Sequence, residues 1–154
     1  MKFFGAFFLF FILLNSQATA ICVRVDKANL RAGPSTNTKK TWEVYKFMPF
    51  EKVKSHSGWH QVKDVDGDLH WIHSRLVDEN LDCATVKVLK ANLRTGPGTN
   101  HRAVPWGPAQ KYYAFKILKR EGSWIQVEDA AGGKAWVNRD LVWAPRAGTS
   151  VGSR

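Results

Sequence analysis

Short alternations of apolar and polar residues recur along this chain, each stopped by glycine, proline or a polar cluster. Cys22-Val23-Arg24-Val25 alternates with period two and reads as a half-buried strand. Asn29-Leu30-Arg31 continues the pattern, with Leu30 inward and its neighbours outward, until Gly33-Pro34 ends it. Glycine admits turn conformations closed to other residues, and proline has no N–H to give to a ladder. Further strands are predicted at Trp42-Glu43-Val44-Tyr45, Glu51-Lys52-Val53-Lys54, Trp59-His60-Gln61-Val62-Lys63 and His70-Trp71-Ile72-His73. Met48-Pro49-Phe50, Ser55-His56-Ser57-Gly58 and Asp64-Val65-Asp66-Gly67-Asp68 are the turns between them, and Ser74-Arg75-Leu76-Val77 closes the series. No segment carries a helical period, so the chain is expected to be all-β.

The series then repeats. Lys27 to Asn37 returns as Lys90 to Asn100, 63 residues later, with nine of eleven positions identical. Thr85-Val86-Lys87-Val88 matches the first strand. Pro105-Trp106-Gly107-Pro108 is set against Thr41-Trp42-Glu43-Val44, and with one inserted residue the offset becomes 65. From there Phe115 matches Phe50, Trp124-Ile125-Gln126-Val127 matches Trp59-His60-Gln61-Val62, and Asp129 and Gly132 match Asp64 and Gly67. Trp136-Val137 matches Trp71-Ile72, and Leu141-Val142 matches Leu76-Val77. Two copies of about 60 residues, each with short strands and Gly/Pro turns, fit two five-stranded barrels in tandem. Asp78 to Asp82 is the linker, short enough to bring the units into contact.

The N-terminus changes the compartment. Met1-Lys2 precedes an almost wholly apolar run from Phe3 to Leu14, followed by polar residues and Ala18-Thr19-Ala20, the pattern of a signal peptide. The run is too short for a bilayer span, which needs roughly 20 residues. Cys22 follows the site, but Ile21 stands where lipoprotein processing needs a small residue. The mature chain is expected to start near Ile21 and to be exported to the periplasm or beyond. In an oxidising compartment a disulfide is the economical reading of Cys22 and Cys83. Two buried free thiols or an intermolecular bond are the alternatives. If the first unit's ends lie side by side, the bond would lock them together, worth roughly 4 kcal/mol. The net charge is +10, spread along both units. Such a surface favours polyanions such as anionic lipid headgroups or acidic wall polymers, and export argues against nucleic acid.

Each copy also resembles a bacterial SH3 (SH3b) domain. The carriers are Asn29-Leu30-Arg31-x-Gly33-Pro34-x-Thr36, Gly58-Trp59-x-x-Val62, Trp71-Ile72 and Leu76-Val77. In the second copy they are Asn92-Leu93-Arg94-x-Gly96-Pro97-x-Thr99, Trp124-x-x-Val127, Trp136-Val137 and Leu141-Val142. His70 and Ala135 stand where the family usually has glycine. The resemblance covers residues 22–143. It implies SH3-like barrels over 21–79 and 83–143; the signal peptide takes 1–20, and 144–154, rich in glycine, serine and threonine, is expected to be a disordered tail. It also implies a module that commonly accompanies wall hydrolases and binds peptidoglycan or its peptides. The paired tyrosines that read proline-rich peptides are missing, so that activity is not implied.

The candidate chemistry is sparse. No serine lies in a Gly-x-Ser-x-Gly turn, and no catalytic constellation recurs in both copies, so an enzyme is not expected. Asp64, Asp66 and Asp68 crowd one turn, where turn formation explains them better than acid–base work, and no cofactor is called for. His60 and His70, on strands joined by one hairpin, could face each other across it, but the second copy has Ile125 and Ala135 there, and no metal site is expected. Arg31 and Arg94, outward beside a turn, suit bonds to loop carbonyls or packing of their stems on a tryptophan. The tryptophans are more informative. Trp42, Tyr45 and Trp106 sit near loops and could line a groove, with Tyr112 and Tyr113 as counterparts in the second unit. Trp59 and Trp124 suit either core or ligand. Aromatic faces flanked by lysine and arginine bind sugars and peptides. The expected function is non-catalytic binding of a cell-wall component through such grooves; the alternative is an adaptor docking another envelope protein.

Overall fold

The computed structural model describes residues 18–145, and they form the expected tandem of all-β units. The first unit contains β1 (Thr19–Val23), β2 (Lys27–Arg31), β3 (Lys40–Tyr45), β4 (Pro49–His56), β5 (Trp59–Lys63), β6 (Leu69–His73) and β7 (Val77–Asp78). The second contains β8 (Cys83–Val86), β9 (Lys90–Ala91), β10 (Ala109–Gln110), β11 (Ala114–Glu121), β12 (Trp124–Glu128), β13 (Lys134–Asn138) and β14 (Val142–Trp143). A single 3-10 turn precedes the last strand of each, at Ser74–Leu76 and Arg139–Leu141.

The period-two pattern sets the register. In β2, Ala28 and Leu30 are buried while Lys27 and Asn29 are exposed. The inward residues of one unit have counterparts in the other: Leu30 and Leu93, Phe50 and Phe115, Val62 and Val127, Ile72 and Val137 are all fully buried. Ala84 and Ala109 are smaller than their counterparts Ile21 and Val44, and the second core is filled by Val104 and Ile125. His60 occupies the position of Ile125.

The expected barrels differ from the structure in closure. The first unit is one seven-stranded sheet of order β3-β2-β6-β5-β4-β1-β7, with β3 and β7 as free ends. The second divides into a five-stranded sheet, β13-β12-β11-β8-β14, and a two-stranded piece, β10-β9. Neither sheet closes. The Gly-Pro turns and bulges interrupt pairing: β2 meets β6 at Arg31↔Trp71 alone, and the second unit keeps only isolated bridges there. Prolines also explain a shift in the repeat. Arg94 bridges Ala103 as Arg31 pairs with Lys40, an offset of 63, whereas Ala109 pairs with Ala91 as Val44 pairs with Ala28, an offset of 65, so the added residues lie between Ala103 and Ala109 and Trp106 stands among them. With Pro105 and Pro108 unable to donate, the six-residue strand β3 is reduced to the two residues of β10.

The half-buried strand was expected at Cys22 to Val25; β1 instead ends at Val23, Arg24 is exposed as expected, and Ala20 to Val23 are all buried, as are all four residues of β8. At Cys22 and Cys83 the second face is covered by the disulfide. Cys22 and Cys83 are bonded, with Cα atoms 6.2 Å apart. Cys83 opens β8, so the bond does more than lock the ends of the first unit, where Cys22 already pairs with Asp78. It joins the first strands of the two units. Phe47 packs on it in a small apolar cluster of its own, with Leu81 and Ala114 alongside.

The signal-peptide expectation lies mainly outside the described residues. Its final residues, Thr19 and Ala20, pair with Lys52 and Glu51, and cleavage after Ala20 would leave Ile21 to Val23 as the remainder of β1. Of the expected tail, Ala144 packs on the second core, and residues 146–154 lie outside the description.

Candidate ligand-binding cleft

The acidic turns are the first elements of the site, and their local chemistry is the same in both units. Asp64 is 5% exposed, and its Oδ1 accepts the N–H groups of Asp66 and Asp68, each at 2.9 Å. Gly67 holds φ +89°, a left-handed conformation that favours glycine. In the second unit Asp129 Oδ1 accepts from Ala131 and Gly133, and Gly132 takes φ +88°. Asp64 and Asp129 are therefore scaffold. Their second oxygens differ in use. Asp64 Oδ2 meets His70 Nε2 at 3.0 Å, and His70 Nδ1 meets Thr41 Oγ1 at 2.8 Å. Asp129 Oδ2 accepts from the Tyr113 hydroxyl at 3.0 Å, and burial, with this bond, raises the Tyr113 phenol above its ordinary range. Thr41–His70–Asp64 has the connectivity of a nucleophile, base and orienting acid, and in this turn the N–H groups of Asp66, Gly67 and Asp68 are all bonded to Asp64.

Asp66, left free by the turn, reaches the other unit. Its carboxylate accepts from the Tyr112 hydroxyl at 2.6 Å and from Lys111 Nζ at 3.0 Å. These bonds, Tyr112 first, hold the Asp66 carboxyl below its ordinary range and raise Tyr112 and Lys111 above theirs. Tyr112 also meets Trp42 edge-on, with ring centroids 5.1 Å apart. It sits at φ +71°, as Phe47 sits at +72° at the matching position. Each is held in a tight turn whose N–H···O bond runs Tyr113 to Gln110 or Met48 to Tyr45. The two turns thus serve the interface differently: Phe47 covers the disulfide, and Tyr112 covers the acidic turn.

Between β3 and the Lys111–Tyr113 turn lies an open cleft of about 420 Å³. Trp42, Tyr45, Tyr112 and Tyr113 provide aromatic walls, with Lys46 and Lys111 on its rim. Tyr45 is 58% exposed. Four of the seven residues expected to bind ligand are brought together here. The other three are not. Trp59 is 8% exposed and is covered edge-on by His73 at 5.1 Å. Trp124 lines a separate groove of about 240 Å³ with Asn92 and Arg94. Trp106 lies against the Gly133 turn, where an added Cβ would stand 3.1 Å from its ring.

Asp66 and Lys111 were not singled out as joining the units. The available signal was that the copies differ there, with Ala131 standing where Asp66 would be. His60 and His70 do not meet: His60 pairs with Ile72 and bonds Ser55, while His70 pairs with Val62. Burial, then Lys52, holds His60 below the ordinary imidazole range. Among the described residues no group of three or more His, Cys, Asp or Glu is placed to hold a metal. Arg31 and Arg94 bond the loop carbonyls of Thr38 and His101, each at 2.9 Å.

The duplicated fold has a counterpart among known families. The bacterial SH3 domain matches residues 24–79 and 87–144. The chain belongs to that family. A curated relative, the provisionally named N-acetylmuramoyl-L-alanine amidase YrvJ of Bacillus subtilis (strain 168), is 23% identical over 152 residues. That alignment takes in 91% of this SH3b chain but 28% of the relative, so the chain spans little more than a quarter of its length. Among solved structures, an NlpC/P60 family protein from Bacillus cereus ATCC 10987 aligns with a TM-score of 0.38 at 13% identity, over 83% of this chain and 57% of that one. NlpC2 from Trichomonas vaginalis gives 0.36 at 13%, over 82% and 48%. The endolysin LysPBC5 CBD gives 0.34 at 15%, over 82% and 93%. These scores are too low to carry a functional comparison.

Proposed function

We propose that this tandem SH3b chain is an exported, non-catalytic module that binds a cell-wall component in the cleft between its units. The observation that carries the reading is the convergence of Trp42, Tyr45, Tyr112 and Tyr113 from both units on one open cleft with lysines at its rim. Such a surface combines stacking with charge-assisted hydrogen bonds. Membership of the bacterial SH3 family, a relative named for an activity on the N-acetylmuramoyl–alanine linkage, and the net charge of +10 support the same ligand class. The disulfide suits an oxidising compartment and so supports export.

Co-sedimentation with purified sacculi tests this. The oxidised protein is expected to sediment with sacculi at physiological salt. Tyr45→Ala, which removes an exposed ring from the cleft wall, is expected to weaken retention by about tenfold, the order of an interface hot spot. Absence of sedimentation would sink the reading and favour an adaptor that docks another envelope protein.

A further inference from the structure

We infer that the cleft reads a short peptide through its backbone, as an added strand on the free edge of β3, rather than through sugar rings; this rests on the wall-binding reading above. β3 is a terminal strand of its sheet and pairs only with β2. The bond from Lys46 N–H to the Asp26 carbonyl, 3.3 Å, sets the alternation of the antiparallel ladder. By that alternation Ala28–Val44 and Leu30–Trp42 exchange backbone bonds, and the backbone groups of Glu43 and Tyr45 point away from β2. Residues Trp42 to Lys46 line the cleft, so that outward edge faces it. The Tyr45 carbonyl is spent on Met48 N–H at 3.1 Å. What remains is Glu43 N–H, Glu43 C=O and Tyr45 N–H.

Two donors and one acceptor, spaced along about 7 Å of strand, match two carbonyls and one N–H of an extended peptide. The set is too short for a long protein strand and fits a peptide of about three residues, in a cleft within the usual ligand-pocket range of roughly 300–1,000 Å³. Natural edge strands are ordinarily blunted. The second unit does this with Pro105 and Pro108, which cut β10 to two residues. β3 keeps six, and the unit opposite faces it with Tyr112 and Tyr113 rather than with a pairing strand. The charges select an acidic peptide. Glu43 is met by Lys27 at 3.4 Å and Lys40 at 3.6 Å, whereas Lys46, beside the Tyr45 amide, has no acidic partner among the described residues. A ligand carboxylate at that end would meet both an N–H and an ammonium.

The test uses sacculi digested with an N-acetylmuramoyl-L-alanine amidase, which separates wall peptides from peptide-free glycan strands. Each fraction is offered to the full-length oxidised protein in competition with intact sacculi. The released peptides should compete and should slow amide exchange at Glu43 and Tyr45 by about tenfold or more, the measure of one added hydrogen bond. Glu43→Pro, which removes an outward N–H and no bond to β2, should weaken peptide binding by about tenfold relative to Glu43→Ala. If Glu43→Pro fails to fold, exchange in the unaltered chain decides. Competition by glycan strands alone, or peptide binding without protection at Glu43 and Tyr45, would overturn the inference and leave wall binding standing. Failure of intact sacculi to bind would remove both.

Discussion

Replacing Cys22 and Cys83 by alanine frees two ends separated by 61 residues, a span that holds nearly all of the first unit and the linker. In the unfolded chain a cross-link of that length removes conformational entropy worth about 4 kcal/mol. A unit of some 60 residues has a net stability of only about 3–9 kcal/mol, so this is a large part of it. The second unit, apart from Cys83 itself, lies outside the loop, and the chain-entropy effect does not reach it. At about 4–8 °C per kcal/mol for a unit this small, the first unit should melt roughly 15–30 °C lower in the double variant. Calorimetry on the oxidised protein and the variant, with amide exchange to assign each transition, separates the two units. The first should fall and the second should move by a few degrees, reflecting lost contacts around Phe47. Equal losses in both units would show that the bond acts by docking them, and a larger loss in the second would refute the loop argument outright.

Asp64→Ala and Asp129→Ala each leave two turn N–H groups without their acceptor. Urea denaturation should show losses of about 2–4 kcal/mol, confined to the unit that carries the change. The clasp of Asp66, Tyr112 and Lys111 should have a defined pH window. Asp66 is depressed, so its contribution is present above its unfolded value of about 3.9 and is lost as pH falls through its lower folded value. Tyr112 and Lys111 are raised, so theirs are present below about 10 and are lost as pH rises through the folded values. Ultraviolet titration should find two late-ionising tyrosines, Tyr112 and Tyr113, of which one returns toward its ordinary range in Asp66→Asn; an unchanged curve would mean the clasp does not form in solution.

Much of each unit was legible because strands announce themselves locally. Leu30 and Leu93 and the Asp–Gly turns could be assigned from alternation and turn chemistry alone, with duplication as an internal check, whereas Phe50, read as part of a turn, lies fully buried in β4. The reading of Arg31 and Arg94 as loop-carbonyl donors followed from the adjacent turn in the same way. Closure was not legible: whether short bent strands complete a barrel depends on a few interrupted hydrogen bonds that no residue pattern records. Trp106 has no counterpart to be read, because it stands in the stretch between Ala103 and Ala109 where the second copy is longer and two prolines shorten the strand. Trp59 and Trp124 look equivalent in sequence, yet His73 covers one, while Asn138, in the matching position, lines the open groove beside the other.

The sequence by itself determined that there are two all-β SH3 units, where most of their turns fall and that Leu30 points inward. These follow from backbone geometry acting between near neighbours. The tertiary structure decided which surfaces of the units face each other. Asp66 and Lys111 are 45 residues apart, and Cys22 and Cys83 are 61 apart. Their meeting depends on how two folded surfaces dock, which no period encodes. The cleft, the free edge of β3 beside it and the joining of β1 to β8 arise at that level.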